Sequence, residues 1–268
     1  MSCQGDLTIV HWIGRLGAAT ADDAAARFGL GARAARAKLG AAARAGLLAR
    51  RRMLAEQPAL YLATRSGLRA AGLDQLATCR VSAASFMHAR ACARVAVALE
   101  REHPRRVMSD RELRAAERGC GRPLASAELG IGRDGEPRRH HPDLVLWPSE
   151  QDGGRPLAIE VELTVKAPRR LQAICRAWAR NRRVCGVLYY ASPPAERALR
   201  RAVVAMYAEE FVDVRPLREI LDPRGGDLAT IPSQADPTVA LGESTYHEGG
   251  FALDVVQPPP RPDNREPD

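Results

Sequence analysis

Ile9, Trp12, Ile13 and Leu16 recur at i, i+3, i+4 and i+7, the spacing that lines one face of an amphipathic helix. Gly17 ends that helix. Thr20 with Asp23 three residues on resembles a capping box with Asp in the Glu position, and it opens a second helix running to about Phe28. After a tight turn at Gly29-Leu30-Gly31, a third helix covers roughly Ala32 to Ala45. Ala35, Leu39 and Ala42 face inward, Arg33, Arg36 and Arg44 lie near one outer face, and Gly46 closes the helix. Two strand-like pieces follow, Leu47 to Met53 and Ala59 to Ala63, joined by a turn at Ala55-Glu56-Gln57-Pro58. Thr64 then caps a short helix that stops at Gly72.

A long helix is expected from Ala84 to Arg101, with His88, Ala91, Cys92, Val95, Ala98 and Leu99 on its apolar stripe and Glu100 beside the end of that stripe. On such a face His88 reads as a hydrogen-bonded core histidine rather than a catalyst. Ser109 and Glu112 form a capping box for a helix ending near Gly119. From Leu124 the period changes. Leu124 to Ile131, Asp143 to Trp147 and Leu157 to Thr164 read as strands, and Ile131 to His141 as a polar turn. A helix begun by Pro168 carries Leu171, Ile174, Cys175 and Trp178 on one side. The apolar run Val184 to Tyr190 is what a strand buried on both faces looks like. A helix from Ala195 to Ala208 and an alternating strand from Phe211 to Leu217 complete an α/β unit. The fold class is therefore α+β, in three parts: residues 1–75, residues 80–221, and a disordered, acidic, Pro-rich tail at 222–268.

With 268 residues and 46% hydrophobic content the chain can bury a substantial core, and with 4% aromatics that core is built from closely packed helices with small side chains. No window approaches the apolar length of a membrane span. Met1 to Leu7 lack a basic start and an apolar core region, so a cytoplasmic protein is expected. The six cysteines are scattered, with no C-x-x-C pair and no His at metal-ligand spacing, and read as reduced and structural.

Charge changes the picture more. The net charge is +8, but from Asp222 onward nine acids face three arginines, so that segment carries −6 and residues 1–221 carry +14. Such a body attracts polyanions, of which nucleic acid is the commonest. Residues 1–74 hold eleven basic and five acidic side chains. Helix, helix, turn, basic helix and basic hairpin is the order of a winged helix-turn-helix, which sets one helix in the major groove and a wing along the phosphates of double-stranded DNA. Arg33, Arg36, Lys38, Arg44, Arg50, Arg51 and Arg52 are its candidate DNA-binding residues. The alternative is a helical module whose arginines merely solvate it, or a winged helix used for protein contacts.

The candidate chemistry lies in His141-Pro142-Asp143 and Ile159-Glu160-Val161-Glu162-Leu163-Thr164-Val165-Lys166. Strict alternation sends Ile159, Val161 and Leu163 to one face of a strand and Glu160 and Glu162 to the other. Like charges on neighbouring same-face positions repel, so a cation between them is expected. Asp143 stands 17 residues before Glu160, enough for a hairpin that sets the two strands side by side. Asp143, Glu160 and Glu162 would be hard oxygen ligands for Mg2+. Lys166, one of only two lysines in the chain, would add a positive charge at a phosphate. The alternative is a solvated face of an edge strand.

Pro142-Asp143 followed by Glu160-x-Glu162 on the next strand, then a helix and a buried strand, resembles the PD-(D/E)XK restriction-endonuclease-like fold. The usual Lys two residues after the acid is here Glu162; some nucleases of that fold carry Glu at this position and others recruit a displaced Lys, the part that the resemblance would give Lys166. Residues 7 to about 217 resemble the replication-relaxation family of plasmids and integrative elements, which pairs a winged helix with a domain carrying such phrases and a Tyr-containing strand like Leu188-Tyr189-Tyr190. The resemblance implies a DNA-binding accessory protein of plasmid or mobile-element replication or transfer, with a metal-dependent endonuclease or nickase site at Asp143, Glu160, Glu162 and Lys166. The competing expectation is a non-enzymatic regulator whose nuclease-like domain serves as a homodimer or partner-binding module. In a third, the acidic tail recruits replication or conjugation proteins.

Overall fold

The computed structural model of the protein describes residues 3–149 and 154–221. The tail expected over 222–268 lies outside the described residues. The described residues are a mixed α+β structure belonging to one compact unit.

The chain opens with α1 (Cys3–Leu16), α2 (Ala21–Phe28) and α3 (Ala32–Arg44). The Thr20–Asp23 capping box forms in both directions, and Gly29 ends α2 in the left-handed conformation. Ala35, Leu39 and Ala42 of α3 are buried as its stripe requires. An antiparallel hairpin, β1 (Leu48–Arg51) with β2 (Leu60–Ala63), leads to α4 (Arg65–Ala70). Ile9, Val10, Trp12, Ile13, Leu39, Leu48 and Leu68 fill the core of this part. Residues 71–85 contain no helix or strand.

Next comes α5 (Phe86–Glu102), which is buried on two sides. Ala93 and Val97 enter the core under α1 to α4, while Ala91, Val95, Ala96 and Leu99 enter a second core against the main sheet. The remaining elements are β3 (Val107–Ser109), α6 (Asp110–Cys120), β4 (Ala127–Ile131), β5 (Pro137–His140), β6 (Leu144–Leu146), β7 (Leu157–Glu162), α7 (Pro168–Ala179), β8 (Gly186–Ala191), α8 (Pro193–Ala205), β9 (Val212–Pro216) and α9 (Leu217–Leu221). The main sheet runs β3-β6-β7-β8-β9, with β3, β6 and β7 joined antiparallel and β7, β8 and β9 joined parallel.

One face of the sheet (Val145, Ala158, Val187, Tyr189) packs under α7 and α8 through Leu171, Ile174, Trp178 and Leu199. The other (Leu144, Ile159, Val161, Leu188, Tyr190) packs against α5 and α9 through Val95, Leu99 and Ile220. Helices on both faces bury every residue of β7 and β8, which is why the β8 stretch reads as a continuous apolar run. The stretch Ile131 to His141 is not only a turn. Its second half is β5, paired antiparallel with β4 across a bulge at Glu128 and Gly130. Pro137-Arg138-Arg139-His140 shows no apolar alternation, because pairing with β4 and not burial holds it extended.

Candidate functional site

The sheet sends the side chains of β7 alternately to α5 and to the α7 face, so Glu160 and Glu162 share the side opposite Ile159 and Val161. They are 5% and 4% exposed on the third of five strands, which rules out a solvated edge strand. Carboxylates so deep need partners. Glu160 Oε1 accepts from Nε2 of His140, on β5, at 2.6 Å. Glu162 is paired with the Lys166 ammonium from the turn after β7. Asp143, directly before β6, accepts from the Val161 backbone N–H at 2.8 Å, so its carboxylate is pinned to the backbone between the two glutamates. Its Oδ2 also lies 3.3 Å from Nε2 of His88 on α5.

Each sequence-named acid is thus matched by one basic side chain: His88, His140 or Lys166. Burial pushes the Glu160 carboxyl up, against the pull of His140. Burial opposes protonation of His140, but the charge and hydrogen bond of Glu160 outweigh it and raise the imidazole above its ordinary value. The hydrogen bond to Asp143 raises His88. Burial lowers Lys166, with Glu160 and Asp143 acting in the opposite sense.

Beside this cluster stands a second buried acid, Glu117 on α6. It accepts from the backbone N–H groups of Leu124, Ala125 and Ser126, from the Ser126 hydroxyl, and from Nε2 of His141 at 3.0 Å. Burial works against its ionisation, yet these hydrogen bonds hold its pKa at about 2. His141 therefore faces α6 while its neighbour His140 faces Glu160.

Sequence reasoning missed His140, because a strand without apolar alternation was read as a turn. It also read His88 as a core residue. The imidazole is in fact 43% exposed, with Nε2 3.1 Å from the Val161 carbonyl oxygen and Cys92 Sγ 3.6 Å from Nδ1. The available signal was the i, i+4 spacing of His88 and Cys92 on a helix face that ends at the sheet. Among the described residues, the single group of three His, Cys, Asp or Glu ligand atoms within 4.8 Å of one another is His88, Cys92 and Asp143. Asp143, Glu160 and Glu162 do not form such a group.

Of the residues named for DNA, Arg33, Arg36 and Arg44 are exposed on α3, Lys38 is half-buried there, and Arg50, Arg51 and Arg52 are exposed on and after β1. Arg36 reaches Asp22 at 4.0 Å, and Arg52 donates to the Ala55 carbonyl at 3.0 Å. Arg138 and Arg139 of β5, and Arg169, Arg170, Arg176 and Arg180 of α7 and its C-cap, are exposed. No helix among the described residues is long and apolar enough to cross a membrane. No family model, no curated protein and no solved structure matches the chain.

Proposed function

We propose that the chain is a DNA-binding accessory protein of plasmid or mobile-element replication or transfer, in which a winged helix grips duplex DNA and a restriction-endonuclease-like domain acts on a phosphodiester. The observation that carries this reading is the pair of almost wholly buried glutamates on β7, with the Asp143 carboxylate bound to the backbone N–H between them, in a chain with many exposed arginines. The reading asks for a helix and a buried strand after the acid-bearing strand, and α7 and β8 stand in those positions. It is also favoured by exposed arginines on α3 and on β1, as a recognition helix and wing need.

Mg2+ takes carboxylate oxygens, and Asp143, Glu160 and Glu162 would hold it once their ligand atoms, which do not all lie within 4.8 Å of one another, close around the ion. When bound, the ion would activate water and stabilise charge on the phosphodiester. The protein's own groups do the rest. Lys166 brings an ammonium to the same end of the strand, where it orients and polarises a phosphate. His140 holds a proton against Glu160, and the arginines of β5 and α7 grip the flanking backbone. A non-enzymatic regulator is the second reading. It is favoured by the one-to-one pairing of the acids with His88, His140 and Lys166, which gives each carboxylate a partner without any ion.

DNA binding is tested by anisotropy titration of labelled duplex across a range of salt. A contact to six phosphates weakens binding with a log–log slope of about −5, and Arg36→Ala or Arg51→Ala lowers that slope by about one. Affinity that ignores salt would overturn the DNA-binding reading.

A further inference from the structure

His88 and Cys92 stand one helical turn apart on α5, and Asp143 approaches them from the start of β6. An imidazole nitrogen, a thiolate sulfur and a carboxylate oxygen make a mixed donor set that suits Zn2+ better than Mg2+. Two of the three separations agree. Atoms bound about 2.0–2.3 Å from one tetrahedral ion lie about 3.3–3.8 Å from each other. His88 Nε2 is 3.3 Å from Asp143 Oδ2 and 3.8 Å from Cys92 Sγ, and the three ligand atoms all fall within 4.8 Å. Asp143 is already oriented by the Val161 N–H, the kind of outer hydrogen bond that fixes a ligand before the metal arrives. The His88 side chain is 43% exposed and that of Asp143 21%, so an ion can enter from solvent.

We infer that His88, Cys92 and Asp143 form a binding site for Zn2+ or a similar borderline divalent ion. Three protein ligands leave a fourth position for water, as in sites that keep one coordination place open. Binding forms three coordinate bonds without any change of oxidation state. The thiol proton passes to solvent, as does any proton that Nε2 has been donating to Asp143 or the Val161 carbonyl. The site needs neither DNA nor cleavage, and so stands apart from the nuclease reading, although Asp143 belongs to both.

The test titrates Co2+ into the full chain, first freed of metal with a chelator, and follows the absorption spectrum. Binding of one equivalent is expected, with the near-ultraviolet band of a thiolate–cobalt bond and the intense visible bands of a four-coordinate ion, all bleached when Zn2+ is added. Cys92→Ser removes the near-ultraviolet band, and Cys120→Ser, at an exposed thiol, leaves it in place. His88→Gln keeps the thiol and weakens Co2+ binding at least about tenfold, so it tests the site even if Cys92→Ser fails to fold. No thiolate band in the natural chain, a band that survives Cys92→Ser, or unchanged affinity in His88→Gln would each overturn the assignment.

Discussion

Gly67 shows how tightly single atoms are placed. A Cβ there would run into the Leu47 carbonyl carbon and oxygen. The approach is close because Thr64 caps α4: its Oγ1 accepts from the Gly67 N–H at 3.0 Å and donates to the Gly46 carbonyl at 2.6 Å. Gly67→Ala is therefore expected to destabilise by about 1–3 kcal/mol in urea unfolding. By contrast, Gly119→Ala on α6, where a methyl meets nothing within 4 Å, gains up to about 1 kcal/mol from helix propensity. Glu117 gives a prediction in pH. Its pKa drops from 4.5 to about 2 on folding, so the unfolded chain binds more protons between those values. The stabilisation is present above about 4.5 and is lost as pH falls toward about 2. Unfolding free energies measured down that range should show an acid limb that flattens in Glu117→Gln, whereas an unchanged limb would mean that other groups cause it.

Among the elements, α5 binds the two halves of the molecule together. Glu100, whose side chain is 2% exposed, accepts from Trp12 Nε1 at 2.9 Å and from Arg15 at 3.3 Å, and is paired with Arg27. Arg15 continues to Glu112 at 2.6 Å, and the Ser109 hydroxyl donates to the Arg15 carbonyl at 2.7 Å. Glu100→Ala removes the carboxylate partner of Arg27 and of the Trp12 N–H while Arg15 keeps Glu112, and it should cost about 1–3 kcal/mol in thermal or urea unfolding. Much of this architecture was legible beforehand. The caps at Thr20, Thr64 and Ser109 and the stripes of α3 and α7 are local signals, and local signals survive folding. Two features were hidden. The second buried side of α5 rests on Ala93 and Val97, and one alanine and one valine make no visible stripe of their own. The strand β5 owes its conformation to a partner strand, so its own side chains announce nothing. The site divides the same way: the alternation that placed Glu160 and Glu162 together was visible, while their cations, Lys166 excepted, come from elements that only the fold brings near.

For the whole molecule, the account joins a basic body to a buried acidic cluster. Residues 1–221 carry +14, yet the end of β7 collects Asp143, Glu160 and Glu162. An acidic point beside exposed arginines is the electrostatic arrangement expected of a site that draws a phosphate backbone in and then requires a cation at its centre. The most direct measurement is incubation of supercoiled plasmid with the purified protein and Mg2+ or Mn2+, alongside Glu160→Ala and an EDTA control. The account expects metal-dependent nicking or linearisation that EDTA and Glu160→Ala both abolish while DNA binding persists. Tight binding with no cleavage under any metal, or cleavage that survives Glu160→Ala, would contradict it.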